Sequence, residues 1–117
     1  MQLNSLSTQE MAALQAYTTL LQNRFKDQLV ELLLFGSMAR GDAQPGSDID
    51  VLVVLANPDA QALSDARALG FDILLAHGVF LSIRAMSQQQ WQDLADMNSL
   101  FYRNLRKDGL SLLPAPA

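Results

Sequence analysis

The sequence predicts an α/β domain, with a sheet of at least three strands and helices packed mainly on one face. Three observations predict it. Two short runs rich in Leu, Val and Ile, residues 29–35 and 49–55, are bounded by turn-forming residues and read as buried strands. A third apolar run, residues 79–86, closes a longer helical stripe. Helix-opening serines with a Glu or Gln three residues on precede the first helix and the helix after the third strand.

The elements follow in order. Ser7-Thr8-Gln9-Glu10 is a capping box, and Met11, Leu14, Leu21 and Phe25 then recur at helical spacing, so a first helix runs to about Phe25. The strand Leu29 to Phe35 ends in Gly36-Ser37 and a short helical turn. Residues 41–47 hold Gly, Asp, Pro and Gly, a turn cluster leading to the second strand. Asn57-Pro58 reads as an N-cap with proline in the first helical position. Leu63, Ala66, Leu69, Ile73 and His77 mark the buried stripe of that helix, which ends near Gly78. After the third strand, Ser87-Gln88-Gln89-Gln90 is a second capping box, opening a helix through Trp91 and Leu94. Residues 98–107 form a last helix closed near Gly109, with Trp91, Phe101 and Tyr102 packing both C-terminal helices on the core.

A chain of 117 residues is one domain, here residues 1–113, with 114–117 as a loose tail carrying Pro114 and Pro116. No cysteine is present, which excludes a disulfide framework and a thiolate metal site. No apolar run is long enough for a membrane span, and residues 1–5 lack a basic segment followed by an apolar core, so the expectation is a cytoplasmic protein. The net charge of −4 argues against direct nucleic-acid binding, which needs clustered Lys and Arg. The one basic grouping, Arg103, Arg106 and Lys107, lies where cations favour the negative end of a helix dipole. His77, the single histidine, also lies near a helix end.

The chemistry concentrates between the first two strands. Strand alternation puts Asp48 and Asp50 on one face and Ile49 and Val51 on the other. Two like charges on one face of a buried strand repel, and burial worsens the conflict. A hard cation between them resolves it, and magnesium favours one or two carboxylates together with substrate phosphates. Gly36 lets the backbone approach a ligand closely. The Ser37 hydroxyl and the amides of the following turn offer donors to phosphate oxygens.

Gly36-Ser37, then residues 38–47, then Asp48-Ile49-Asp50 resembles the signature of the DNA polymerase beta-like nucleotidyltransferase superfamily. The length and the Arg40-Gly41-Asp42 continuation resemble the minimal nucleotidyltransferases, small prokaryotic proteins often encoded beside a HEPN-domain partner as its antitoxin. The resemblance is close over residues 34–55 and looser over most of the chain. It implies the mixed sheet of the nucleotidyltransferase core, ATP as substrate and Mg2+ or Mn2+ as cofactor. It also implies transfer of AMP to a hydroxyl of a HEPN-domain toxin, neutralising it. Asp48 and Asp50 would hold the metal as catalytic residues, and Gly36, Ser37 and Arg40 would meet the phosphates. The extra domains of larger superfamily members have no counterpart, so a partner surface or a second copy of the chain would complete the core.

The sequence departs from that pattern in one place. The superfamily usually carries a third carboxylate on a later strand, where it completes the metal site and is thought to help activate the attacking hydroxyl. The matching strand, residues 79–86, contains neither Asp nor Glu. Ser82 and Arg84 share one face of it and stand in that place, while Leu81 and Ile83 share the other. Three readings stay open: a weak enzyme with one well-held metal, a nucleotide-binding module that neutralises a partner by complex formation, or an enzyme completed by a carboxylate elsewhere. Asp72, on the preceding helix, reads as a solvated residue, and Asp42 and Ser47 as turn residues.

Overall fold

The computed structural model describes residues 6–36, 39 and 48–113. Helix α1 spans Thr8–Phe25 and runs through a 3-10 turn, Lys26–Gln28, into strand β1, Leu29–Phe35. Strand β2 is Ile49–Leu55, α2 is Ala60–His77 and β3 is Leu81–Ser87. Helices α3, Gln88–Asp96, and α4, Leu100–Asp108, precede the two-residue strand β4, Leu110–Ser111. The strands form one mixed sheet in the order β3-β2-β1-β4. β1 runs antiparallel to both β2 and β4, while β2 and β3 are parallel. Parallel neighbours need a crossover connection, and α2 supplies it.

Alternation along the strands divides the core into two layers. Leu32, Leu34, Val51, Val53 and Leu55 pack on one face with Leu14, Tyr17 and Leu21 of α1 and Ala66 and Ile73 of α2. Leu33, Leu52, Val54 and Met86 pack on the other with Trp91 of α3 and Leu105 of α4. The two eighteen-residue helices therefore share one face, and the two nine-residue helices cover part of the other. Strand β2 is the centre of both layers, with every residue from Val51 to Leu55 fully buried. That explains its continuous apolar run, since a strand covered on both faces has no solvent side to alternate with.

The caps at Ser7 and Ser87 form as expected, each hydroxyl accepting from the amide three residues on and each Glu10 or Gln90 side chain accepting from the cap amide. Gly78 ends α2 in the left-handed conformation at φ +68. Elsewhere the boundaries differ. Asn57 does not cap α2; it takes φ +45, and Asp59 accepts from the Ala62 amide at 2.7 Å. A two-oxygen carboxylate beside the first turn also suits the positive helix end. Strand β3 starts at Leu81 rather than Val79, and α4 starts after Ser99, whose hydroxyl accepts from the Tyr102 amide, because Asn98 takes φ +50. The expected short helical turn, apart from Ala39, the loop of residues 41–47 and the tail of residues 114–117 lie outside the described residues.

Tyr17 makes a buried side-chain tie between the two long helices. Its hydroxyl donates to the Ala66 carbonyl at 2.7 Å, locking α1 to α2. Burial pushes its ionisation well above the ordinary phenol range.

Candidate functional site at the end of strand β2

Asp50 lies one residue inside β2 and opposes a different residue on each side. On β1 its partner is Phe35, and on β3 it is Ser82. Gly36 follows Phe35 at φ +76, a conformation that L side chains rarely adopt. A β-carbon built on Gly36 would collide with the Asp50 carboxylate. Glycine is thus required twice here, once by the backbone turn and once by the oxygen in front of it. The group that approaches Gly36 in this structure is the Asp50 carboxylate, where the expectation was a ligand.

A cleft of about 300 Å³ opens beside this carboxylate. It is lined by Phe35, Asp50, Ser82, Arg84 and the intervening residues of β3, together with Arg67 from α2. Arg84 is two positions along from Ser82 on the same face, in register with Leu52. Its guanidinium lies over the Phe101 ring at 5.0 Å, and Phe101 meets Phe35 edge-on at 5.8 Å. Helix α4 therefore supplies an aromatic shelf that orients Arg84, worth about 0.5–1 kcal/mol at an exposed site.

Arg67 was not among the residues singled out from sequence. It reaches the cleft because α2 sits unusually close to β3. A β-carbon on Gly70 would stand 2.9 Å from Ile83 Cγ1, tighter than side chains normally pack. Gly70, one turn beyond Arg67, lets the helix down onto the strand. A glycine inside an apolar helical stripe was the available signal.

Asp48 stands just before β2 and is exposed. It borders a neighbouring depression of about 390 Å³ with Glu10, Gly78 and Phe80. The structure thus brings Gly36, Asp50, Ser82 and Arg84 to one cleft and sets Asp48 at its flank. Ser37, Arg40, Asp42 and Ser47 lie outside the described residues. Asp72 is an exposed helix residue. Among the described residues no group of three Asp, Glu, His or Cys side chains is gathered as for a metal. Of the described site residues, Asp48 and Asp50 are the carboxylates that would hold a hard cation shared with a phosphate substrate.

Among the described residues no helix is long and apolar enough to cross a membrane. Arg106 lies over Trp91 and Tyr102, receives its orientation from the Tyr102 hydroxyl at 3.0 Å, and sits 3.8 Å from Glu31. These contacts let Arg106 hold α4 against α3 and β1.

Comparison with known proteins bears on the same region. Residues 18–95 match the family model described as a nucleotidyltransferase domain. A protein of Methanocaldococcus jannaschii designated a protein adenylyltransferase is 30% identical over 100 residues, covering 86% of this chain and 94% of that protein. Two solved structures share the fold. A nucleotidyltransferase from Sulfolobus solfataricus superposes with a TM-score of 0.53 at 21% identity, covering 88% of this chain and 81% of that one. A chain of a toxin-antitoxin crystallised with AMP-PNP gives 0.54 at 20% identity, covering 85% and 72%. With the glycine turn, the strand-borne aspartate and a matched segment spanning both, the chain belongs to the nucleotidyltransferase-domain family and is a minimal member of the DNA polymerase beta-like superfamily.

Proposed function

We propose that this protein is the antitoxin of a toxin-antitoxin pair and that it transfers AMP from Mg-ATP to a hydroxyl of a HEPN-domain toxin, neutralising it. The observation that carries the reading is the apposition of Gly36 and Asp50, a left-handed glycine at the end of β1 packed against a carboxylate of β2. The relative designated a protein adenylyltransferase and the toxin-antitoxin structure with AMP-PNP support the acceptor and the donor respectively.

On this reading Gly36, Ser37 and Arg40 meet the triphosphate, and Asp48 and Asp50 are the catalytic carboxylates. Those two carboxylates would hold Mg2+ or Mn2+, which supplies charge neutralisation on the phosphates when bound. The acceptor oxygen forms a bond to the α-phosphorus while the bond from that phosphorus to the bridging oxygen breaks. Pyrophosphate leaves with the electron pair. β3 sets Ser82 and Arg84 rather than a carboxylate beside Asp50, so the hydroxyl proton passes to a carboxylate elsewhere in the complex or to solvent water. The protein's contribution is position and electrostatics.

The test is incubation with labelled ATP, magnesium and the neighbouring toxin, for wild type and Asp48→Asn/Asp50→Asn. Label on the toxin with wild type alone is the expected result. No label with any nucleotide or metal tried would sink the transfer reading.

The serine and arginine on β3 favour a second reading, a nucleotide-binding module that neutralises its partner by forming a complex. The same double variant separates the two, since a binder would still neutralise the toxin.

A further inference from the structure

We infer that the open edge of β3 is the acceptor-docking surface, and that it takes an extended, acidic segment of the partner carrying the hydroxyl to be modified. The inference rests on the transfer reading above and adds to it the chemistry of the acceptor.

Three observations converge. First, β3 is the outermost strand of the sheet among the described residues, seven residues long, and its outward amides and carbonyls have no strand beside them. Such an edge is a template for an added strand, whose main chain pairs with it while alternate side chains point into flanking pockets. Second, the cleft wraps this edge from both faces of the sheet, with Arg84 on one side and Arg67 on the other. Among the described residues neither guanidinium has an ion pair. In a chain of net charge −4, two arginines facing one cleft beside one aspartate reverse the local sign. Guanidinium groups match carboxylates in geometry as well as charge. Third, Asp50 stands between Gly36 on the β1 side and Ser82 on the β3 side. In-line transfer needs the attacking oxygen opposite the leaving pyrophosphate. With the phosphates against Gly36, the acceptor enters from β3.

Arg67 and Arg84 are therefore positioning residues for the acceptor. They fix the partner segment by its carboxylates and set its hydroxyl beside Ser82 and Asp50. Electrostatic complementarity of this kind selects the partner more than it adds raw affinity.

The experiment compares two fluorescein-labelled peptides by anisotropy, one with a central tyrosine flanked by glutamates and one with lysines in their place. Wild type should bind the acidic peptide about tenfold more tightly, a difference of about 1.4 kcal/mol, and Arg67→Glu/Arg84→Glu should invert the preference. Circular dichroism checks that the variant folds, and the milder Arg67→Ala/Arg84→Ala should abolish the preference without inverting it. AMP-PNP titration runs in parallel. Equal binding of both peptides, or binding of neither, overturns the inference. So does loss of AMP-PNP binding in the folded alanine variant, which would assign the arginines to the nucleotide. If wild type itself fails to bind AMP-PNP while the peptide preference holds, the transfer reading falls and the docking surface stands.

Discussion

Gly36→Ala isolates the step on which the functional reading turns. Two costs arise at one residue. The backbone cost comes from φ +76, where a non-glycine residue pays about 1–2 kcal/mol. The contact cost comes from the new methyl group meeting the Asp50 carboxylate. A carboxylate is the far end of a side chain and can swing aside, so this second cost appears mainly as a misplaced ligand. The variant should therefore lose about 1–2 kcal/mol of stability, or about 3–10 °C in Tm for a domain of this size. It should also lose magnesium-dependent AMP-PNP binding out of proportion to that loss. Thermal unfolding by circular dichroism and calorimetric titration read the two effects separately. A double-mutant cycle with Asp50→Ala then apportions the contact. With the carboxylate gone, Gly36→Ala should pay only the backbone cost, and any coupling energy between the two positions belongs to the collision. A Gly36→Ala protein with wild-type Tm and wild-type nucleotide affinity would refute the geometry and remove the main support for the phosphate site.

Other perturbations have equally direct readouts. Asp50→Asn should abolish magnesium dependence of nucleotide binding in calorimetry, because a neutral amide is a poorer ligand for a hard cation than a carboxylate. Tyr17→Phe removes the hydroxyl bond to the Ala66 carbonyl, which keeps its place in the helical ladder, and should cost about 0.5–1.5 kcal/mol in urea unfolding. Tyr17 ionises only above its unfolded pKa of about 10. Its contribution is therefore whole below that pH and falls as pH rises above it, at up to about 1.4 kcal/mol per pH unit. Alkaline denaturant melts should show that slope in wild type and a shallower one in Tyr17→Phe. Gly70→Leu forces a side chain against Ile83 and should cost about 1–3 kcal/mol by overpacking, with α2 displaced from β3 and the peptide preference weakened in parallel.

The legible parts of this protein were those fixed by local chemistry. β1 and β2 were bounded by turn residues and rich in Leu, Val and Ile, so their limits follow from the chain alone. The capping boxes at Ser7 and Ser87 are complete within four residues. The spacing from Gly36 to Asp50 led to the family. The cap of α2 misled because Asn57 and Asp59 are both good caps, and only the backbone turn at Asn57 decides between them. β4 could not be read, since two residues carry no periodicity and pair with β1 only because the chain returns there. Arg67 was hidden for a similar reason. Its place in the cleft depends on how closely α2 lies on β3, a distance set by Gly70 against Ile83 and by nothing adjacent to Arg67 in sequence.

The pairing of β4 with β1 has a consequence for how the chain is made. Leu110 and Ser111 lie opposite Leu34 and Leu33, and the Leu112 amide donates to the Leu32 carbonyl at 2.8 Å. These contacts close a loop that spans most of the sequence, so their entropy is recovered late in folding. During synthesis β1 must wait, apolar and unpaired on one side, until Leu110 and Ser111 leave the ribosome. A chain ending at Gly109 would keep every site residue yet expose that strand to other nascent chains, and its failure would be insolubility rather than lost chemistry.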